Sequence, residues 1–228
     1  MTMPVPVHHP RAVRNASESE LRRLRLPQPP PGFPLVWEPG DTVELRPTGD
    51  LENRLAVLNV VLARCFGLPQ EAAMSWLLTS HLMDAVTEPE WHFLTAGIGD
   101  HRAFVLHLEA VYGLAWLLGI SGHLDPARPS DDRLVALLPD LRRRETYAHW
   151  RSRTLIAPRH PAEVAAVLDL YYCLDWGYLE AERLGAPLPG LIDANTIGQR
   201  RWALEWSVIF HGPYHDGAQG WEEVDLST

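Results

Sequence analysis

The stretch Ile197 to Phe210, IGQRRWALEWSVIF, sets two adjacent arginines, a glutamate and two tryptophans four residues apart into an otherwise apolar run. On a helix, residues three and four apart share a face. Arg201 then falls in line with Ile197, Leu204 and Val208 and points inward, with Arg200 beside it. Glu205 lies four residues beyond and can pair with Arg201. Trp202 and Trp206 flank both, and an indole face is a good seat for a guanidinium. An arginine buried without a counter-ion is expensive, so carboxylates from other apolar helices are expected to meet it. Two qualify: Asp175, set among Leu168, Tyr171, Tyr172 and Tyr178, and Glu109, the only acid in the apolar run Ala103 to Ile120. The expected constellation is Glu109, Asp175 and Glu205 around Arg200 or Arg201, near Trp116, Trp176 and Trp206. A partly buried carboxylate lining a cleft can serve as a general acid or base. The same charges sealed on every side would only set the register of three helices.

Other chemistries find less support. Eleven histidines invite a metal reading, but none falls in H-E-x-x-H spacing and C-x-x-C does not occur. His211 and His215 are four apart, yet the Gly-Pro between them breaks the helix that would align them. Neither glycine-rich phosphate loop occurs, nor does a serine nucleophile elbow. No metal and no cofactor are therefore expected. The segment LRRRETYAHWRSRTLIAPRH gathers Arg142, Arg143, Arg144, Arg151, Arg153 and Arg159 around Tyr147, His149 and Trp150. Arginines interleaved with aromatics can hold phosphates or stack on bases. Against nucleic acid stands a formal net charge of −9, from 29 acidic and 20 basic residues.

The elements that must position these residues read as helices. From Asp50 the apolar positions Leu51, Leu55, Leu58, Leu62 and Cys65 repeat at three and four, and Gly67 ends the stripe. A second helix runs from about Pro69. Thr87 to Glu90 form a capping box that opens a short third one. Asp100 starts a central helix closed by Gly119, and Pro161 starts a long one stopped by Gly185 and Pro187. The stretch quoted first is the last helix. Ten of the 20 prolines lie in the first 47 residues, which breaks up long helices there. SESELRRLRL can make a short helix, and LVWEPGDTVELRP predicts a two-stranded ribbon turning at Pro39-Gly40. The expected organisation is thus all-α: a proline-rich arm over residues 1–47 with one short β-hairpin, and a single multi-helix domain over 48–228. Short connections and 46% hydrophobic residues fit a soluble globular chain. The longest apolar run carries His107 and Glu109 in its middle, so a buried helix is expected there and no membrane span. The lone cysteines Cys65 and Cys173 sit on apolar helices and read as reduced thiols of a cytoplasmic protein. All 20 basic residues are arginines.

Four motifs in order, EAVYGLAWLLG, LDLYYCLDW, QRRWALEW and the closing GWEEVDLST, resemble the bacterial domain-of-unknown-function 4272 family. Its members carry an arginine pair followed by A-L-x-W and finish on a tryptophan, acids and a threonine. The resemblance covers roughly Pro27 to Thr228, and it implies fold class and bacterial origin but no activity. Family members often carry histidine where this chain has Asp175, which tells against Asp175 as a shared catalytic residue. Two functions follow as expectations. The first is a non-catalytic helical module that binds another protein through the arm or an exposed tryptophan, since tryptophan and arginine dominate interfaces. The second is a small-molecule pocket or enzyme lined by Trp202, Trp206, Tyr171 and Tyr172, with Asp175 or Glu109 as acid or base. A cavity enclosing the carboxylates would favour the second, and a sealed cluster beside an exposed apolar patch the first.

Overall fold

The structure, a computed structural model, describes residues 3–130 and 133–227. Thr228, the last residue of the closing motif, lies outside them. Among the described residues the elements run β1 (Val5–Pro6), α1 (Pro10–Leu24), β2 (Thr42–Leu45), α2 (Thr48–Cys65), α3 (Gln70–Thr79), α4 (Glu88–Ala96), α5 (His101–Leu117), α6 (Arg133–Leu137), α7 (Tyr147–Arg153), α8 (Pro161–Arg183), α9 (Ala194–Ser207) and β3 (Val208–His211). Helix dominates, with one small antiparallel sheet ordered β1-β2-β3. No helix among the described residues is long and apolar enough to cross a membrane.

The chain packs as two units. The first takes the described residues of Met1–Pro47, Leu124–Pro129 and Arg159–Thr228. Its axis is α8, which packs on α1, on α9 and on all three strands. Pro161 occupies the first turn of α8, where a missing N–H costs nothing, and His160 caps it by accepting from Ala162 N–H at 3.3 Å. Gly177 lets α1 approach: a Cβ there would stand 3.3 Å from Leu21 and 3.4 Å from the Pro27 carbonyl. A buried ion pair ties the helices together, Arg14 Nη2 to Asp169 Oδ1 at 2.8 Å, with Ser17 Oγ donating to the second carboxylate oxygen at 2.7 Å. Arg14 also donates to the Phe33 and Pro34 carbonyls, so the proline-rich segment after α1 is hydrogen-bonded to the same guanidinium.

Two expectations change here. The ribbon predicted at Pro39-Gly40 does not close on itself. Thr42–Leu45 is a strand, but it pairs with Val5–Pro6 on one side and with Val208–His211 on the other. Residues 35–37 stay out of the sheet, because Pro34 and Pro39 remove ladder donors on both sides. Trp37 is buried instead, donating its indole N–H to the His8 carbonyl at 3.0 Å. The last helix is also shorter than its apolar pattern. It ends at Ser207, and Val208-Ile209-Phe210 become strand β3, as β-branched and aromatic residues prefer once a partner edge is present.

The second unit comprises Thr48–His123 and Ser130–Pro158. Helix α2 is buried along nearly its whole length, from Leu51 to Leu62, and packs against α3, α4 and α5. It begins two residues before Asp50 and ends, as its sequence implies, before Gly67 at φ 89°. Asp100 caps α5 by accepting from Arg102 N–H, and Gly119 follows that helix at φ 76°. The arginine-rich segment holds the short helix α7. Thr146 caps it by accepting from His149 N–H at 3.2 Å.

Candidate functional site

Helix α9 carries both arginines inward. Asp193 caps its start through Thr196 N–H at 2.9 Å, and with that phase fixed Arg200 and Arg201 are 0% and 1% exposed. Their tasks differ. Arg200 donates to the Asp125 and Arg128 carbonyls, each at 2.7 Å, and to the Tyr171 hydroxyl at 3.3 Å. Tyr178 donates to the Pro126 carbonyl at 2.8 Å. Arg200 and the two tyrosines therefore hold residues 124–129 onto this unit, a structural role that leaves nothing for a ligand to explain.

Arg201 gathers carboxylates. Its Nη1 meets Asp175 Oδ2 at 2.7 Å, its Nε meets Glu205 Oε2 at 3.0 Å, and Nη1 also donates to the Leu226 carbonyl. The guanidinium lies over the Tyr172 ring, 4.6 Å from its centre. Of the expected constellation, Asp175, Arg201 and Glu205 are brought together. Glu109 belongs to the second unit, where its Oε1 accepts from Ser130 N–H at 3.1 Å and Oγ at 3.0 Å. Trp116 lies in that unit too. Trp176 packs near Phe33, ring centres 6.0 Å apart. Trp202 stacks on Trp221 at 5.4 Å and donates its indole N–H to the Trp221 carbonyl.

The two carboxylates of Arg201 differ in exposure. The Asp175 side chain is 7% exposed and that of Glu205 29%. Burial raises the pKa of Glu205, and the attraction of Arg201 only partly offsets it, since one guanidinium serves two acids. Burial pushes Asp175 in the same direction, again against Arg201. Glu205 then opens onto a cavity of about 210 Å³, together with Arg46, Trp206, Phe210, His215 and Gln219. Only its Oε2 is engaged by Arg201; Oε1 meets no hydrogen-bond donor among the described residues.

The same cavity is lined by His215, which is paired with Asp41. His215 Nε2 lies 2.9 Å from Asp41 Oδ2. Asp41 is 5% exposed, and the same oxygen accepts from Glu38 N–H at 2.8 Å. A buried carboxylate that binds one imidazole nitrogen orients the ring and leaves the other nitrogen for chemistry. The ring is further held by stacking on Phe210, which stacks on Trp37. Gly212 is required for this approach, because a Cβ there would stand 2.0 Å from Asp41 Oδ1. Arg46, which also lines the cavity, lies over Trp206 at 4.5 Å and donates to the Trp206 and Gln219 carbonyls.

Asp41 and Arg46 escaped the reading of the sequence, and His215 entered it only as one half of a metal pair that was set aside. Asp41 and His215 are 174 positions apart, and only β2 pairing with β3 brings them together. Gly212 between two histidines is the one local sign that backbone approaches something closely there.

Neither curated proteins nor solved structures yield a match to the chain. One family model does match, over residues 13–224, a span that takes in Asp41, Asp175, the arginine pair and His215; the chain belongs to that family, described as a domain of unknown function (DUF4272).

Proposed function

We propose that the first unit is a small-molecule site in which Glu205 and His215 bind a polar ligand and exchange a proton with it. The observation that carries this reading is that Glu205, with one oxygen unengaged, lines the same cavity as an imidazole that a buried carboxylate holds in place. A carboxyl of raised pKa and an oriented imidazole make a serviceable acid and base pair. The volume sets the scale of the ligand. An apolar cavity of about 150 Å³ takes one benzene, so about 210 Å³ suits a molecule of one ring or a short chain. Trp206 and Phe210 supply apolar walls, and Glu205 and His215 select for a group with an exchangeable proton. The closed contact of Arg201 with Asp175 is the support behind Glu205, and neither needs to touch the ligand. A cytoplasmic, bacterial setting belongs to the same proposal; the unbridged thiols of Cys65 and Cys173 suit a reducing compartment.

Native mass spectrometry of protein purified from its own host tests the reading. A small adduct on the wild type that is lost from Glu205→Gln and from His215→Gln supports it. Protein without an adduct, whose crystals show only water beside Glu205, would overturn it in favour of the protein-binding module.

A further inference from the structure

The arginine-rich segment is sorted by the structure into two groups. Arg143 pairs with Asp140 at 3.6 Å, Arg151 with Glu52 at 2.6 Å, Arg153 with Glu145 at 2.6 Å and Arg159 with Glu163 at 3.1 Å. Arg142 and Arg144 meet no carboxylate among the described residues; Arg142 reaches only the Phe66 carbonyl, at 3.4 Å. Both line one groove of the second unit, of about 930 Å³. In a chain of net charge −9, two exposed and unmatched guanidiniums in one concavity call for an anion.

The rest of the groove suits a particular kind of anion. Trp76 and Tyr147 line it, their rings nearly perpendicular and 6.2 Å apart. Their polar ends are already used: the indole N–H donates to the Glu145 carbonyl at 2.7 Å, and the Tyr147 hydroxyl to Asn53 Oδ1 at 2.6 Å. What they offer a ligand is therefore apolar ring surface. His81 also lines the groove, and only Glu71 opposes the positive residues there. His81 and Arg144 are two of the three non-glycine residues with left-handed backbone among the described residues, each at φ 57°. Both sit where a helical turn stops, Leu82 N–H donating to the Leu77 carbonyl and Glu145 N–H to the Asp140 carbonyl. Glycine takes such positions with less strain.

We propose that this groove binds a small phosphate monoester carried on a flat ring, Arg142 and Arg144 taking the phosphate and Trp76 and Tyr147 the ring. A phosphate monoester carries close to two negative charges at neutral pH, which two guanidiniums match, whereas a carboxylate carries one. Ser75, Ser80 and Thr146 line the groove as well and add hydroxyls around the remaining oxygen. The volume lies within the range of small-molecule sites and is far more than a bare phosphate fills.

Calorimetric titration of the full chain with phenyl phosphate tests this. Binding is expected to be tighter than that of inorganic phosphate and at least tenfold weaker in Arg142→Gln/Arg144→Gln. Both arginines are exposed, so the melting temperature should stay unchanged. The control Glu205→Gln should bind phenyl phosphate as the wild type does. Absence of binding, indifference to the arginine exchange, or equal affinity for inorganic phosphate would each overturn the proposal. Loss of binding in Glu205→Gln would place the ligand in the first unit and overturn it as well.

Discussion

Each unit buries an arginine against a glutamate, and the two pairs do different things. In the second unit Arg54 and Glu90 are 3% and 1% exposed, and each also bonds to backbone of the fold. Arg54 donates to the Ala85 carbonyl, and Glu90 accepts from Thr87 N–H, the start of α4. In the first unit Arg201 is just as sealed, but it is shared between Asp175 and Glu205, and Glu205 keeps an oxygen on a cavity. The lesson is that burial of charge does not by itself mark a site. A carboxylate becomes available to a ligand when its guanidinium is already satisfied by another acid.

The two buried arginines carry the largest expected effects. Arg54→Met and Arg201→Met each strand a buried carboxylate, and each is expected to lose about 3–5 kcal/mol in chemical denaturation. Adding Glu90→Leu should restore most of the first loss, because that pair can be exchanged for apolar packing as a unit. A loss below about 1 kcal/mol for Arg201→Met would mean that Asp175 accepts burial as a neutral acid and that the two pairs are unlike at the root.

Gly212→Ala comes next. The added methyl must displace the Asp41 carboxylate, at about 1–3 kcal/mol for overpacking. It should also free His215, read as faster exchange of its ring signals by NMR. An unchanged His215 spectrum would remove the oriented imidazole from the site.

Glu205→Gln should alter stability at pH 7 by less than about 1 kcal/mol, as Arg201 keeps Asp175. Its signature is in the pH dependence. The fold holds the Glu205 proton more tightly than the unfolded chain does, so the wild type loses stability as pH rises from the ordinary value of 4.5 through the raised one. Glu205→Gln lacks that loss, and the difference between the two proteins should grow across that window and then level off. A flat difference would show that burial does not hold the proton there.

Much of the fold was legible because its signals are local. The stops at Gly67, Gly119 and Gly185, the caps at Asp100 and Pro161 and the apolar stripe of α2 depend on residues within a turn of one another. So does the inward direction of Arg201; the need to pair it pointed to Glu109 as well as Asp175 and Glu205, and only the last two meet it. The strand at Val208–His211 was not legible, since a short apolar run after a helix is ambiguous until a neighbouring edge exists. The hairpin failed for the same reason: Thr42–Leu45 could pair with any strand, and the winners lie in residues 5–6 and 208–211.

Residues within a few positions of one another specify most of the helices, the ends marked by glycine or proline, and the need to neutralise Arg201, because propensity, capping and periodicity act over that range. Only the tertiary structure decided which acids neutralise it, that Arg200 would hold residues 124–129, and that Asp41 would steady His215 beside Glu205. Apart from the Arg201–Glu205 pair within one helix, those outcomes depend on contacts between residues from 26 to 174 positions apart, set by which helix faces and strand edges can be buried together.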